Sequence, residues 1–178
     1  MTRFTTVPAD RASGRTKELY GAVRQTLGSI PNLFLGLGVS PAALEGFLAT
    51  GEALKHGQLS VAEREAIALV VSEVNACQYC LAAHSTLGKM AGLGDDDMLG
   101  IRRGSEGPLK VRALIVFTRA VLTRQGRISD VTLQAVRDAG YSDAQLIEAI
   151  LVMAQTTFTN LYNNLNATEV DFPEAALI

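Results

Sequence analysis

The sequence predicts an all-α protein, and three observations carry that prediction. Apolar residues recur at helical spacing in one segment after another, as in Leu19, Tyr20, Val23 and Leu27. Two stretches, Ser60-Val61-Ala62-Glu63 and Ser142-Asp143-Ala144-Gln145, are capping boxes. In each, a serine hydroxyl accepts from the third helical amide and a Glu or Gln reaches back to the serine amide. No stretch alternates apolar and polar residues with the period of a strand, and Val and Ile fall within helically spaced runs. Composition agrees: 48% of the 178 residues are hydrophobic and only 6% aromatic, which suits packed helices with an aliphatic core. The length suits a single domain over residues 1–178.

The elements follow in order. After a loose N-terminal arm, the first helix carries Leu19 to Leu27 and stops at Gly28. Residues 30–38 are too apolar for a solvated loop and too rich in Gly and Pro for a regular helix, so a buried connection with a helical turn is expected. Ser40 and Pro41 read as N-cap and first helical position of a helix that runs through Leu44, Phe47, Leu48 and Leu54 to Gly57. His56, at its C-terminal end, reads as an exposed residue favourable to the helix dipole. The first capping box opens a helix at Val61 with an apolar stripe of Ile67, Val70, Val71 and Val74, leaving Glu65 on another face. Asp95, Asp96 and Asp97 open a short helix that Arg102 and Arg103 close, each charge matched to its end of the dipole. A turn is expected over residues 104–108. Leu109, Ala113, Val116, Phe117, Ala120 and Val121 outline the next helix, Ser129 caps a short one closed by Gly140, and the second capping box opens a long helix through Leu146, Ile150, Met153, Phe158 and Leu161. Gln145, Glu148, Gln155 and Thr159 form a polar stripe on it, read as a solvated or inter-subunit face.

Charge and termini exclude some partners. With 16 Lys plus Arg, 18 Asp plus Glu, a net charge of -2 and no long basic run, nucleic acid is not an expected partner. The start lacks the apolar core of a signal peptide, and the apolar run from Ile147 to Ala154 is too short to span a bilayer. A cytoplasmic protein without membrane contact is expected. In that compartment a cysteine pair is more often catalytic, redox-sensing or metal-binding than a structural staple.

Chemistry concentrates in residues 75–84, which hold both cysteines and one of the two histidines. With Asn75 as N-cap and Gly92 as stop, Cys77, Cys80 and His84 fall at i, i+3 and i+7 and share one helix face. A thiol in a first helical turn lies near unpaired N–H groups and the positive dipole end, which favours the thiolate; its Cys-x-x-Cys partner is within disulfide reach. His84, one turn beyond Cys80, is placed to accept a thiol proton. Three other readings use the same residues: a zinc site built from Cys77, Cys80, His84 and Glu65, a pair of buried apolar cysteines, and a redox-sensing or interaction module. A structural zinc site usually draws on two separated ligand pairs, and the chain has no second one; buried apolar cysteines leave His84 unexplained.

The constellation Glu65, Cys77-Gln78-Tyr79-Cys80 and His84, with the Ser60 to Glu65 phrase and the Pro31-Asn32-Leu33-Phe34 loop before it, resembles the AhpD-like alkylhydroperoxidases of the carboxymuconolactone decarboxylase family. The resemblance implies an AhpD-like helical bundle with the Cys-x-x-Cys at a helix N-terminus and a thiol-dependent peroxidase activity. It assigns Cys80 as the thiol that attacks peroxide, Cys77 as the resolving thiol, and Glu65 and His84 as the proton relay. The decarboxylase branch of the family generally lacks the cysteine pair, and its lactone chemistry is the alternative activity. No cofactor or metal is implied. The partners implied are a hydroperoxide and an external dithiol, lipoyl or thioredoxin-like. Tyr79 departs from the best-known peroxidase pattern, which has a histidine there, and the departure bears on the relay. Base proximity favours Cys80 as the attacking thiol; Cys77, nearer the helix terminus, is expected to be the outer thiol that meets the dithiol. With only 19% charged residues and helices apolar on more than one face, a homo-oligomer is expected, and the resemblance points to a trimer or hexamer.

Overall fold

The computed structural model describes residues 2–104 and 109–178. A 3-10 turn at Ala9–Arg11 precedes nine α-helices among the described residues: α1 Gly14–Leu27, α2 Asn32–Leu37, α3 Pro41–Lys55, α4 Val61–Val74, α5 Gln78–Met90, α6 Asp95–Arg103, α7 Leu109–Thr123, α8 Asp130–Asp138 and α9 Asp143–Asn166. No strand occurs among them. The expected turn over 104–108 lies, apart from Gly104, outside the described residues. Among the described residues no helix is long and apolar enough to cross a membrane.

Capping chemistry sets most boundaries where the sequence put them. Ser40, Ser60, Ser129 and Ser142 each accept a backbone N–H from three residues on, and both capping boxes are complete. Helix α4 is the centre of the bundle, packed between α5, α7, α9 and α6. Ala66 through Ser72 are therefore all buried, where a one-sided stripe was expected. Each fully buried Ile, Leu or Val contributes roughly 1.5–3 kcal/mol, so this helix anchors the fold. Its Glu65, one turn from the N-terminus, is held where α4 meets α5.

Several expectations are corrected by packing. The N-terminal arm is pinned: the Phe4 N–H donates to Asn166 Oδ1 (2.8 Å) and the Val7 N–H to the Leu35 carbonyl (2.9 Å). Residues 30–38 are, as expected, a buried connection with helical character, the short helix α2, and the glycines there admit two tyrosines; a Cβ on Gly36 would lie 1.7 Å from Tyr162 Oη and one on Gly38 2.0 Å from Tyr20 Oη. On α7, Leu109 and Val116 are exposed, while Leu114, Ile115, Phe117 and Thr118 face inward.

Helix α9 changes character along its length. Its first half buries Leu146, Ala149, Val152 and Met153, but its second half buries Thr156, Thr159, Asn160, Asn163 and Asn166 and turns Phe158, Leu161 and Leu165 outward. Ile150, Phe158 and Leu161, which helped to outline the helix in the sequence, are thus exposed. The polar stripe read as a solvated or inter-subunit face is engaged within the chain. Glu148 accepts the Gln58 and Leu59 N–H groups, Gln155 donates to the Phe47 carbonyl, and Thr159 is buried. Beyond α9 the chain runs back over the bundle, where Asp171 accepts the Asn32 N–H (2.7 Å) and Arg102 holds the Ala176 carbonyl.

Candidate active site

The site begins with the way α4 ends. The Ala76 N–H reaches the Glu73 carbonyl (3.1 Å) and the Cys77 N–H the Ser72 carbonyl (2.9 Å), the paired closure of a Schellman motif. This requires a left-handed residue, and Ala76 takes it at φ 50°, at a cost on the order of 1 kcal/mol for a side chain with a Cβ. The expected role of Asn75 is corrected accordingly. It is the C-cap of α4, and its side chain donates to Asn160 Oδ1 (3.0 Å). The N-cap of α5 is Cys77 itself, whose Sγ accepts the Cys80 N–H at 3.3 Å. Asn75 yields because the α4 backbone runs on through it until Ala76 reverses the chain.

Cys77 and Cys80 are both free thiols. Cys77 is wholly buried, with 0% exposure. It is the inner thiol, contrary to the expectation that its helix-terminal position leaves it outermost. Cys80 lines a mostly apolar cavity of about 230 Å³, together with Phe34, Leu87, Asn163, Phe172 and His84. Asn163 Nδ2 donates to Cys80 Sγ at 3.3 Å. His84, one turn on, holds Glu65 Oε2 through Nδ1 at 2.8 Å, with the two side chains 20% and 15% exposed. The structure thus brings all four expected residues to one place, Glu65 from α4 and the others from α5 and its cap.

Electrostatics distinguishes the thiols. Of the two neighbouring sulfurs, the better supported one carries the anion. The Cys77 thiol hydrogen-bonds to Cys80 and pulls it well below the ordinary thiol range, to about 6, against the upward push of burial; Asn163 and His84 help. The same hydrogen bond, with burial, drives Cys77 upward. Burial pulls His84 down, but the adjacent Glu65 carboxylate outweighs it and the imidazole is raised above its usual value. The surroundings thus favour the anionic form of Cys80 and the protonated form of His84.

Tyr79 does not take the place of a relay histidine. It is 4% exposed, its Oη accepts the Leu33 N–H (3.2 Å), and its ring meets the Phe172 ring edge-on at 5.7 Å between centroids. Burial drives its phenol far upward, so it stays protonated and braces α2 against α5. His56 is 80% exposed at the side chain, as its position implied. Among the described residues no three His, Cys, Asp or Glu side chains are grouped so as to hold a metal ion. Sequence reading missed Asn160 and Asn163. The signal was there: 149, 153, 156, 160 and 163 continue one inward helical stripe, which polar side chains disguise after Met153.

Residues 41–106 match the carboxymuconolactone decarboxylase family. Among solved structures, the chain is similar to an alkylhydroperoxidase AhpD core, an uncharacterized peroxidase-related protein from Ralstonia eutropha. The TM-score is 0.86 at 22% identity, over 96% of this chain and 92% of that one. A peroxidase-related protein from Silicibacter superposes with a TM-score of 0.78 at 23% identity, over 95% and 94%. A cysteine-to-alanine variant of the debrominase Bmp8, in complex with 2,3,4-tribromopyrrole, gives 0.81 at 18% identity, over 96% and 92%. None of the curated proteins matches the chain in sequence. The matched segment holds Glu65, Cys77, Cys80 and His84, and the chain as a whole has the fold of the AhpD-like structures.

Proposed function

We propose that the protein is a thiol-dependent peroxidase that reduces hydroperoxides through a Cys77/Cys80 dithiol–disulfide cycle. The observation that carries this reading is Cys80 at the wall of an apolar cavity, acidified and flanked by a His84–Glu65 pair, with a second thiol directly behind it. The Cys80 thiolate attacks the terminal oxygen of ROOH, the O–O bond breaks, and His84 gives its proton to the departing alkoxide. The Cys77 thiol then displaces water from the Cys80 sulfenic acid, forming the disulfide. An external dithiol, lipoyl or thioredoxin-like, restores both thiols. It attacks Cys80, because that sulfur borders the cavity and Cys77 is enclosed. The test is titration of free thiols before and after one equivalent of an organic hydroperoxide, with mass spectrometry of the products. Loss of two thiols and a Cys77–Cys80 bond is expected. Lactone turnover that survives removal of both cysteines would instead establish the decarboxylase alternative.

Self-association belongs to the same proposal. Ile147, Leu151, Ala154, Phe158, Leu161 and Leu165 follow alternating four- and three-residue steps along the outer face of α9, and the five large ones are 41–68% exposed. A stripe of that spacing fits the same stripe on a second copy. Light scattering at micromolar concentration is expected to give a multiple of the 18.9 kDa chain mass, a trimer or hexamer, and Leu161→Glu to reduce it. A monomeric wild type rejects the interface.

A further inference from the structure

We infer that Asn163 is a catalytic residue that binds the terminal O–H of the hydroperoxide and so aims that oxygen at Cys80. The inference rests on the peroxidase reading above. Asn163 is 3% exposed on the inward face of α9 and borders the cavity beside Cys80. A thiolate only accepts hydrogen bonds, so the amide must turn its NH2 to the sulfur, as it does at 3.3 Å. Its Oδ1 is then fixed as an acceptor, and it has no hydrogen-bond partner although it is buried.

A buried amide oxygen without a donor is costly, and native proteins seldom leave one so. The other asparagines of this face are committed elsewhere: Asn160 to Ser72 and Asn75, Asn166 to Phe4 and Thr168. Asn163 alone of the three pairs a sulfur contact with an unfilled acceptor. A monosubstituted hydroperoxide supplies the missing donor, since only its terminal oxygen carries hydrogen. When that hydrogen lies on Oδ1, the same amide plane holds the nucleophile through its NH2 and the electrophilic oxygen through its carbonyl. The R–O side is left toward the apolar cavity and the His84 proton. In the attack the S–O bond forms as O–O breaks. The hydroxyl hydrogen stays on the oxygen that reaches sulfur, so Asn163 transfers no proton.

The experiment compares two electrophiles at Cys80 in a Cys77→Ser background. Methyl methanethiosulfonate has no O–H or N–H to donate, whereas tert-butyl hydroperoxide has the O–H in question. Rates are taken on the pH plateau where Cys80 is fully ionised, which removes any change in thiol acidity. Asn163→Ala is expected to slow the hydroperoxide about tenfold, the scale of one transition-state hydrogen bond, and the thiosulfonate by less than about threefold. Asn163→Ser, a milder change, carries the comparison with the same selectivity if the alanine variant does not fold. An equal loss toward both electrophiles, or no loss, overturns the role of Asn163 and leaves the peroxidase reading standing. If the parent Cys80 reacts with hydroperoxide no faster than free cysteine, both readings fall together.

Discussion

Cys80→Ser is expected to abolish hydroperoxide consumption, while Cys77→Ser leaves a single rapid reaction that stops at a sulfenic acid on Cys80. The asymmetry follows from packing. Cys80 borders the cavity and has Asn163 and His84 beside it, whereas Cys77 is enclosed beneath the α5 terminus. Loss of the attacking thiol removes the nucleophile entirely, so turnover falls to background. Loss of Cys77 spares the nucleophile but removes the resolving step and the hydrogen bond that helps to acidify Cys80. The Cys80 ionisation midpoint in Cys77→Ser should therefore lie above about 6. Sulfenic-acid trapping with mass spectrometry reads both outcomes. Label on Cys77 in Cys80→Ser, and none on Cys80 in Cys77→Ser, reverses the assignment. The same packing predicts that a mixed disulfide with a lipoyl-type dithiol forms on Cys80.

Removing the relay carboxylate should cost nearly as much. Glu65→Gln keeps the shape of the side chain but deletes the charge that raises His84. In the wild type the attack rate is expected to rise with pH as Cys80 ionises, at about 6, and to fall once His84 loses its proton, at a pH above the usual imidazole value. In Glu65→Gln, burial acts on His84 without its counterweight, so the imidazolium is lost at lower pH. Cys80 ionises at higher pH, because its positive neighbour is then gone. The two limbs approach each other and the active window closes. A loss of about 100-fold at neutral pH is expected, the low end of what general acid catalysis contributes. His84→Ala should lose the falling limb altogether. A pH profile of Glu65→Gln that superimposes on wild type rejects the relay.

The candidate site was legible to an unequal degree. Cys77, Cys80 and His84 are close in sequence, so helical geometry alone placed them together, and the spacing to Glu65 pointed across the α4–α5 turn. The order of the two sulfurs from cavity to core was not legible. Distance from a helix terminus says nothing about what packs over it, and Cys77 lies deepest because Ala76 folds the chain inward there. Asn163 was hidden for a related reason. Its contact with Cys80 spans 83 residues, and its polar side chain disguised a helical register that is buried.

The sequence by itself determined the helices, their serine caps and the arrangement of two thiols and an imidazole on one helix face. These depend on interactions within one or two turns, where side-chain chemistry and the 3.6-residue period suffice. Only the tertiary structure decided that Cys77 caps α5, that Cys80 owns the cavity, and that the last two turns of α9 bury asparagines and expose leucines. Those outcomes depend on which distant surfaces meet. A polar side chain is stable inside the bundle when a partner from another helix satisfies it, and its own neighbours in the chain carry no record of that partner.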